Sequence, residues 1–160
     1  MPLIANRQIV RKILDTRPTG VAVWHVQPFV CVLNQSAVQL TGFSDRDFQQ
    51  NKSPQLNRVD PQDQALISAA WKKLRTEKTK VTCDYRFLPN GGTEQIWIRD
   101  VSVPFHDSNG KYSGIISVYT DVSGMESTQI RNDLGEVIER LAHDVRNCVH
   151  VIGGGAAAAA

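Results

Sequence analysis

The sequence predicts an α+β fold in which helices flank a five-stranded antiparallel sheet. Residues with strand-like alternation form a pair of segments at 20–33 and a run of three segments at 79–121, and turn sequences separate them. Helix-like spacing occupies the chain between these two groups and returns after residue 125. Since consecutive strands joined by short turns pair antiparallel, one antiparallel sheet with helices packed against it is expected.

Residues 4–48 are expected to form helices around two short strands, and the polar residues 49–58 are expected to be irregular. Apolar residues at helical spacing predict a helix over residues 4–15, which Pro18 and Gly20 end. After the strand pair, Asn34 is suited to cap a short helix from Gln35 to Leu40, because its side chain can accept a backbone hydrogen bond.

A longer helix is predicted to begin at Asp60. Asp60 is the expected N-cap, Pro61 the first helical residue, and Asp63 adds negative charge to the first turn. The apolar stripe of this helix consists of Leu66, Ile67, Ala70, Trp71 and Leu74.

Three strands then follow over residues 79–88, 93–105 and 111–121. The Asn90-Gly91 and Asn109-Gly110 pairs between them favour tight hairpin turns, because both residue types tolerate positive φ. Only the side chains on one face of the first of these strands are apolar, which indicates a half-buried antiparallel strand.

Beyond residue 124 the apolar spacing becomes that of a heptad repeat, which predicts a C-terminal coiled-coil helix. The predicted seam consists of Leu134, Leu141 and Cys148 at d, and Ile138, Val145 and Ile152 at a. The organisation is therefore expected to be an N-terminal helix (1–18), an α+β domain (19–123) and a dimerisation helix (124–160) that would make the protein a homodimer through residues 125–152. The tail from Gly153 to Ala160 is of low complexity.

The composition excludes several classes of protein. A net charge of +2 is too small to favour nucleic-acid binding, and no apolar run approaches the length of a membrane span. The first residues lack a signal-peptide pattern, so a cytoplasmic protein is expected. Cys31, Cys83 and Cys148 lie far apart without zinc-ligand spacing, which indicates reduced cysteines and no metal site.

Five segments in order resemble the PAS sensor-domain family, over about residues 5–123. They are Asn34-x-x-Ala37-x-x-Leu40-Thr41-Gly42-Phe43-Ser44, Val59-Asp60-Pro61-Gln62-Asp63, Asn90-Gly91-Gly92 followed by Trp97, Pro104 with Asp107, Gly110 and Gly114, and Asp121-Val122-Ser123. The resemblance implies a cavity between the sheet and the helices. Trp24, Phe29, Trp71, Tyr85 and Trp97 are candidate ligand-binding residues, although the alternative is that they are ordinary core aromatics.

The stretch His143-Asp144-Val145-Arg146-Asn147-Cys148-Val149 resembles the phosphoacceptor motif of sensor histidine kinases. Asp144 retains the carboxylate of that motif, whereas Cys148 replaces its usual proline and Val149 its usual leucine. In the heptad register His143 lies at f, away from the seam, where a kinase domain could reach it.

The kinase resemblance implies a role for three residues. His143 would be the phosphoacceptor, Asp144 the base or orienter of its ring, and Asn147, with Asp144, would position water for a phosphatase reaction. An ordinary surface histidine is the alternative reading of His143. Asp121 and Ser123, at the junction of the last strand and the exit helix, are candidate signal-relay residues.

The cofactors and partners follow from these resemblances. No ATP-binding motif occurs, so ATP and Mg²⁺ would belong to another domain of the parent, and this chain alone is expected to be inactive. No haem or flavin is expected, and an unknown small ligand remains open. The partners would be the parent's ATP-binding domain and a response-regulator receiver domain. Two alternatives stay open: a PAS module of a cyclase or transcription regulator, and a stand-alone ligand-binding protein.

Overall fold

The computed structural model describes residues 7–16, 19–26, 29–50, 54–124 and 138–146. Five strands form one antiparallel sheet with the order β2-β1-β5-β4-β3. The strands are β1 (Gly20–Val26), β2 (Phe29–Leu33), β3 (Val81–Phe87), β4 (Ile96–His106) and β5 (Tyr112–Asp121). The predicted five-stranded antiparallel sheet is confirmed.

Helices cover both faces of this sheet. They are α1 (Arg7–Asp15), α2 (Gln35–Thr41), α3 (Asp45–Gln50), a short 3-10 helix (Pro54–Arg58) and α4 (Gln64–Glu77), and residues 138–146 are also helical. Side chains of α2, α3 and α4 join the buried cluster on one face of the sheet. Those of α1 and of residues 138–146 join the cluster on the other face. We call these the cavity face and the outer face.

Asn34 connects three elements at the centre of the fold. Its buried side chain caps α2 by accepting a hydrogen bond from the Ala37 amide, as the sequence predicted. The same oxygen accepts from the Val21 amide of β1, and the Asn34 amide nitrogen donates to the carbonyls of Leu14 and Thr19. One side chain therefore joins the end of α1 to β1 and to the start of α2.

Gly42 ends α2 in the left-handed conformation, with φ of 73°. A Cβ at this position would lie 2.2 Å from the carbonyl oxygen of Asn90. The Asn90 amide also donates to the carbonyl of Thr41, so the β3–β4 turn packs directly on the end of α2. Only glycine satisfies both the backbone angle and this close approach.

The predicted start of α4 at Asp60 is wrong by one turn. Residues 61–63 form a turn, and Asp63 occupies the N-cap position without a side-chain capping bond. Its carboxylate accepts instead from the backbone and guanidinium of Arg86 on β3. Leu66, assigned to the apolar stripe, is 58% exposed, because the sheet lies under Ile67 and Leu74 rather than under this residue.

The structure does not support the predicted coiled-coil helix. Of the proposed seam, Leu134, Cys148 and Ile152 lie outside the described residues. Ile138, Leu141 and Val145 are fully buried within this chain, in the outer-face cluster. Within residues 138–146 the apolar stripe therefore packs on the protein's own sheet, since one apolar stripe can pack on a sheet as well as on another helix. No helix in the described ranges is long and apolar enough to cross a membrane.

Candidate functional site

A cavity of about 420 Å³ opens between α4 and the cavity face of the sheet. Strand alternation produces its floor, because every second residue of β1, β4 and β5 points to this face. The lining residues are Trp24, Val26, Phe29, Gln55, Trp71, Leu74, Arg75, Ser102, Ile115, Ser117 and Tyr119.

The cavity brings together three of the five aromatic residues named from the sequence. Trp24, Phe29 and Trp71 line it, and the ring centroids of Trp24 and Phe29 are 6.3 Å apart. Tyr85 is buried on the same face but does not line the cavity. Trp97 lies elsewhere, 44% exposed, with the Arg86 guanidinium 5.6 Å from its ring centroid.

A chain of polar side chains lies in the cavity floor and was not anticipated from the sequence. The Ser102 hydroxyl donates to Asp100 at 2.7 Å, and the Ser102 and Ser117 hydroxyl oxygens are 2.7 Å apart. Asp100, Ser102 and Ser117 are all buried, as is Tyr119, two residues beyond Ser117 on β5. Since the single proton of Ser102 is committed to Asp100, Ser117 must donate to Ser102 whenever Asp100 is ionised.

Burial dominates the electrostatics of this floor. It raises the pKa of Asp100 to about 6, although hydrogen bonds from Ser102, Trp71 and Tyr85 favour the ionised form. Burial, reinforced by the nearby Asp100, also raises the pKa of Cys83 to about 11 and that of Tyr85 well above its usual range. Both therefore remain protonated at neutral pH, and Asp100 is the titrating group of the floor.

Gln55, from the short 3-10 helix, is the second residue that sequence reasoning missed. Its side chain is only 7% exposed and lines the cavity. Its Oε1 meets no hydrogen-bond partner among the residues described here. A buried amide oxygen without a donor is unfavourable by roughly 1–3 kcal/mol, so this atom marks a place where a ligand donor would fit.

His143 lies on the solvent side of the C-terminal helical segment. Its side chain is 69% exposed, and its Nδ1 is 3.8 Å from the Asp144 carboxylate. Ile138, Leu141 and Val145 of the same segment are buried. Asn147, the third residue of the predicted phosphoacceptor group, lies outside the described residues.

Asp121 and Ser123 form hydrogen bonds at the C-terminal end of β5. The Ser123 hydroxyl donates to Asp121 at 2.6 Å and accepts from the Trp97 amide at 2.9 Å. The Val122 amide donates to the Trp97 carbonyl. The two candidate relay residues therefore attach the end of β5 to the start of β4.

The described residues contain no group of three His, Cys, Asp or Glu side chains placed to hold a metal ion. The polar chemistry of the cavity is instead that of hydroxyls, one amide, one arginine and the buried Asp100. Hydroxyl, amide and guanidinium groups are able to form hydrogen bonds with an organic molecule.

The fold described above is a five-stranded antiparallel sheet with helices on both faces and a cavity on one of them. A family model described as the PAS fold matches residues 30–119, which is more than half of the chain. The protein therefore belongs to the PAS family. No curated protein sequence matches the chain.

Solved structures agree with this assignment at the level of the fold. The PAS domain of a protein from Colwellia psychrerythraea has 21% identity and a TM-score of 0.55, covering 76% of this chain and 99% of its own. The N-terminal domain of a diguanylate cyclase with a PAS/PAC sensor from Marinobacter aquaeolei has 21% identity and a TM-score of 0.54, covering 66% and 95%. A sensory box histidine kinase/response regulator from Burkholderia thailandensis has 16% identity and a TM-score of 0.50, covering 89% and 98%.

Proposed function

We propose that this protein is the sensory and phosphoacceptor portion of a two-component histidine kinase. In this proposal a ligand in the cavity changes the sheet, and the sheet changes the position of the helical segment that carries His143. The parent's kinase domain then transfers the γ-phosphoryl group of ATP to that histidine, and a receiver domain accepts it.

The sensory part of the proposal is supported by β5, whose side chains alternate between the cavity and the outer-face cluster. Ile115, Ser117 and Tyr119 line the cavity. The alternate residues Ile116 and Val118 belong to the outer-face cluster. Ile138, Leu141 and Val145 of the C-terminal segment belong to this same cluster. A displacement of β5 on the cavity face must therefore alter the surface on which that segment packs, because side chains of one strand move together.

The phosphoacceptor part rests on the exposure of His143 and the position of Asp144. In phosphoryl transfer, a ring nitrogen of neutral His143 attacks the γ-phosphorus and the bond to the ADP oxygen breaks. Asp144 lies on the Nδ1 side of the ring, so we assign the phosphoryl group to Nε2. Asp144 is then placed to take up or hold the Nδ1 proton as positive charge develops on the ring.

The second candidate is a PAS module that controls a different output, such as a cyclase or a transcription regulator. The similarity to the sensor domain of a diguanylate cyclase supports it as much as the histidine-kinase neighbour supports the first. It also agrees with the absence of a proline after Asn147, where Cys148 follows. In this case the β5 relay would be the same, and His143 would be an ordinary surface residue.

The two candidates are separated by labelling the intact parent protein with γ-labelled ATP. The kinase proposal expects acid-labile, base-stable label that is present in the wild type and absent in His143→Gln. His106→Gln is the matched control, since His106 lies on β4 and should retain full labelling. Equal labelling of wild type and His143→Gln, or none in either, favours the other output.

A further inference from the structure

The aromatic wall of the cavity restricts the shape of its ligand. Trp24, Phe29 and Trp71 line the cavity yet are only partly buried. The Trp24 ring is held edge-on against Phe48, with centroids 4.7 Å apart and an interplanar angle of 88°. A planar ring that lies against these aromatic side chains would bury the apolar ring surfaces that remain in contact with water.

The buried Oε1 of Gln55 indicates that the ligand carries a hydrogen-bond donor. Gln55 is more than nine-tenths buried, and its Oε1 has no partner within the described part of the chain. The hydroxyls of Ser102 and Ser117 are already bonded to one another and to Asp100. Gln55 is therefore the lining group with the strongest need for a ligand N–H or O–H.

The positive charge of Arg75 at the cavity indicates an anionic group on the ligand. Among the described residues that line the cavity, Arg75 is the one that carries a charge, and its side chain is exposed to solvent. Lys73, two residues before Arg75 on α4, is paired with Glu77 at 3.9 Å and does not line the cavity. A guanidinium fork binds a planar carboxylate with two parallel hydrogen bonds, so an anion of this shape is favoured over a neutral ligand.

We propose that the cavity binds a planar aromatic carboxylate that carries a ring N–H or O–H donor. The ring would lie against Trp24, Phe29 and Trp71. Its donor would bond Gln55 Oε1, and its carboxylate would pair with Arg75. The volume of about 420 Å³ suits one or two fused rings with a short acid side chain, because it lies near the lower end of the roughly 300–1,000 Å³ of ligand pockets. This inference rests on the proposed sensory function and names the class of molecule sensed.

The test is calorimetric titration of the whole chain with three probes. Indole-3-acetate carries the ring, the N–H and the carboxylate; 1-methylindole-3-acetate lacks the donor; and indole lacks the acid. We expect indole-3-acetate to bind, and either deletion to weaken binding about tenfold, which corresponds to about 1.4 kcal/mol. Because these comparisons use the wild-type protein, they do not depend on whether a variant folds.

Two variants locate the contacts. Arg75→Ala should reduce affinity for indole-3-acetate at least fivefold and leave affinity for indole unchanged. Lys73→Ala, on the same helix but outside the cavity lining, should leave both unchanged. Gln55→Leu should remove the difference between indole-3-acetate and its methylated analogue.

Three results would overturn the proposal. They are equal wild-type affinity for the methylated and unmethylated acids, an affinity for the acid that does not change in Arg75→Ala, and no binding of any probe at millimolar concentration. Each leaves the labelling experiment on His143 unaffected, since that experiment reads phosphoryl transfer rather than ligand chemistry. The ligand class and the kinase function can therefore fail separately.

Discussion

The Asp100 carboxylate accepts a 2.7 Å hydrogen bond from Ser102, two residues further along the same strand. Both side chains point to the cavity face of the sheet, and Ser102 is paired in register with Ser117 on β5. Asp100 thus lies at one end of a buried hydrogen-bonded chain whose other members line the cavity. The protonation state of one carboxyl group determines which way those hydroxyls donate.

We predict that Asp100→Asn becomes more stable relative to the wild type as pH rises. Burial raises the pKa of Asp100 from 3.8 to about 6. Its contribution to the free energy of unfolding is therefore fully present below pH 3.8 and is lost as the pH rises through about 6. Between pH 4 and pH 8 the difference in unfolding free energy should shift by roughly 2–3 kcal/mol in favour of the asparagine variant. Urea unfolding followed by tryptophan fluorescence measures this.

Asp63→Asn is the matched control for that measurement. Hydrogen bonds from Arg86 lower the pKa of Asp63 to about 2. Its contribution is present above 3.8 and is lost only as pH falls towards 2, so its difference from wild type should stay constant between pH 4 and pH 8. A constant difference for Asp100→Asn as well would show that the buried carboxyl does not titrate in this range.

We expect Asn34→Ala to be strongly destabilising, by about 3 kcal/mol or more. The substitution removes the cap of α2 and leaves the Val21 amide and the carbonyls of Leu14 and Thr19 without their partner. Thermal unfolding of Asn34→Ala against the exposed Asn57→Ala measures the effect. A loss equal to that of Asn57→Ala would mean that water replaces the Asn34 bonds.

The features predicted correctly from the sequence are those that depend on local chemistry. The Asn34 cap, the strand alternation and the glycine turns at Gly91 and Gly110 follow from residues within a few positions of one another. Asp63 was expected to stabilise the first turn of α4, but its carboxylate binds Arg86 instead. The sequence pattern did not indicate this, because Arg86 lies 23 residues away on β3.

The cavity floor depends on register, which local patterns do not give. Asp100 and Ser102 occur in an apolar strand, and this was a signal that buried polar groups were present. Their connection to Ser117 appears only when β4 and β5 pair. Gln55 gave no signal, because its segment was predicted to be irregular and forms a 3-10 helix instead.

Gly42→Ala should destabilise the fold more than Gly91→Ala. Both glycines have positive φ, 73° and 77°, so either alanine incurs a conformational penalty of roughly 1–2 kcal/mol. Only the Cβ at position 42 would meet the Asn90 carbonyl, whereas the Cβ at 91 would have nothing within 4 Å in the described structure. The difference between the unfolding free energies of Gly42→Ala and Gly91→Ala therefore measures the cost of the clash between the new Cβ and the Asn90 carbonyl. Equal losses would show that the β3–β4 turn moves away from α2 at little cost.

Ser123→Ala should loosen the end of the sheet that leads to the exit segment. The Ser123 hydroxyl accepts from the Trp97 amide and donates to Asp121, so its removal should raise the hydrogen-exchange rate of that amide several-fold. Global stability should fall by no more than about 1 kcal/mol, because both hydrogen bonds of the Ser123 hydroxyl are exposed to solvent. Ser108→Ala, in the exposed β4–β5 turn, serves as the control and should change neither quantity. An unchanged exchange rate of the Trp97 amide in Ser123→Ala would show that Asp121 and Ser123 do not hold β4 and β5 together. These two residues could then not transmit a change in the sheet to the helical residues 138–146.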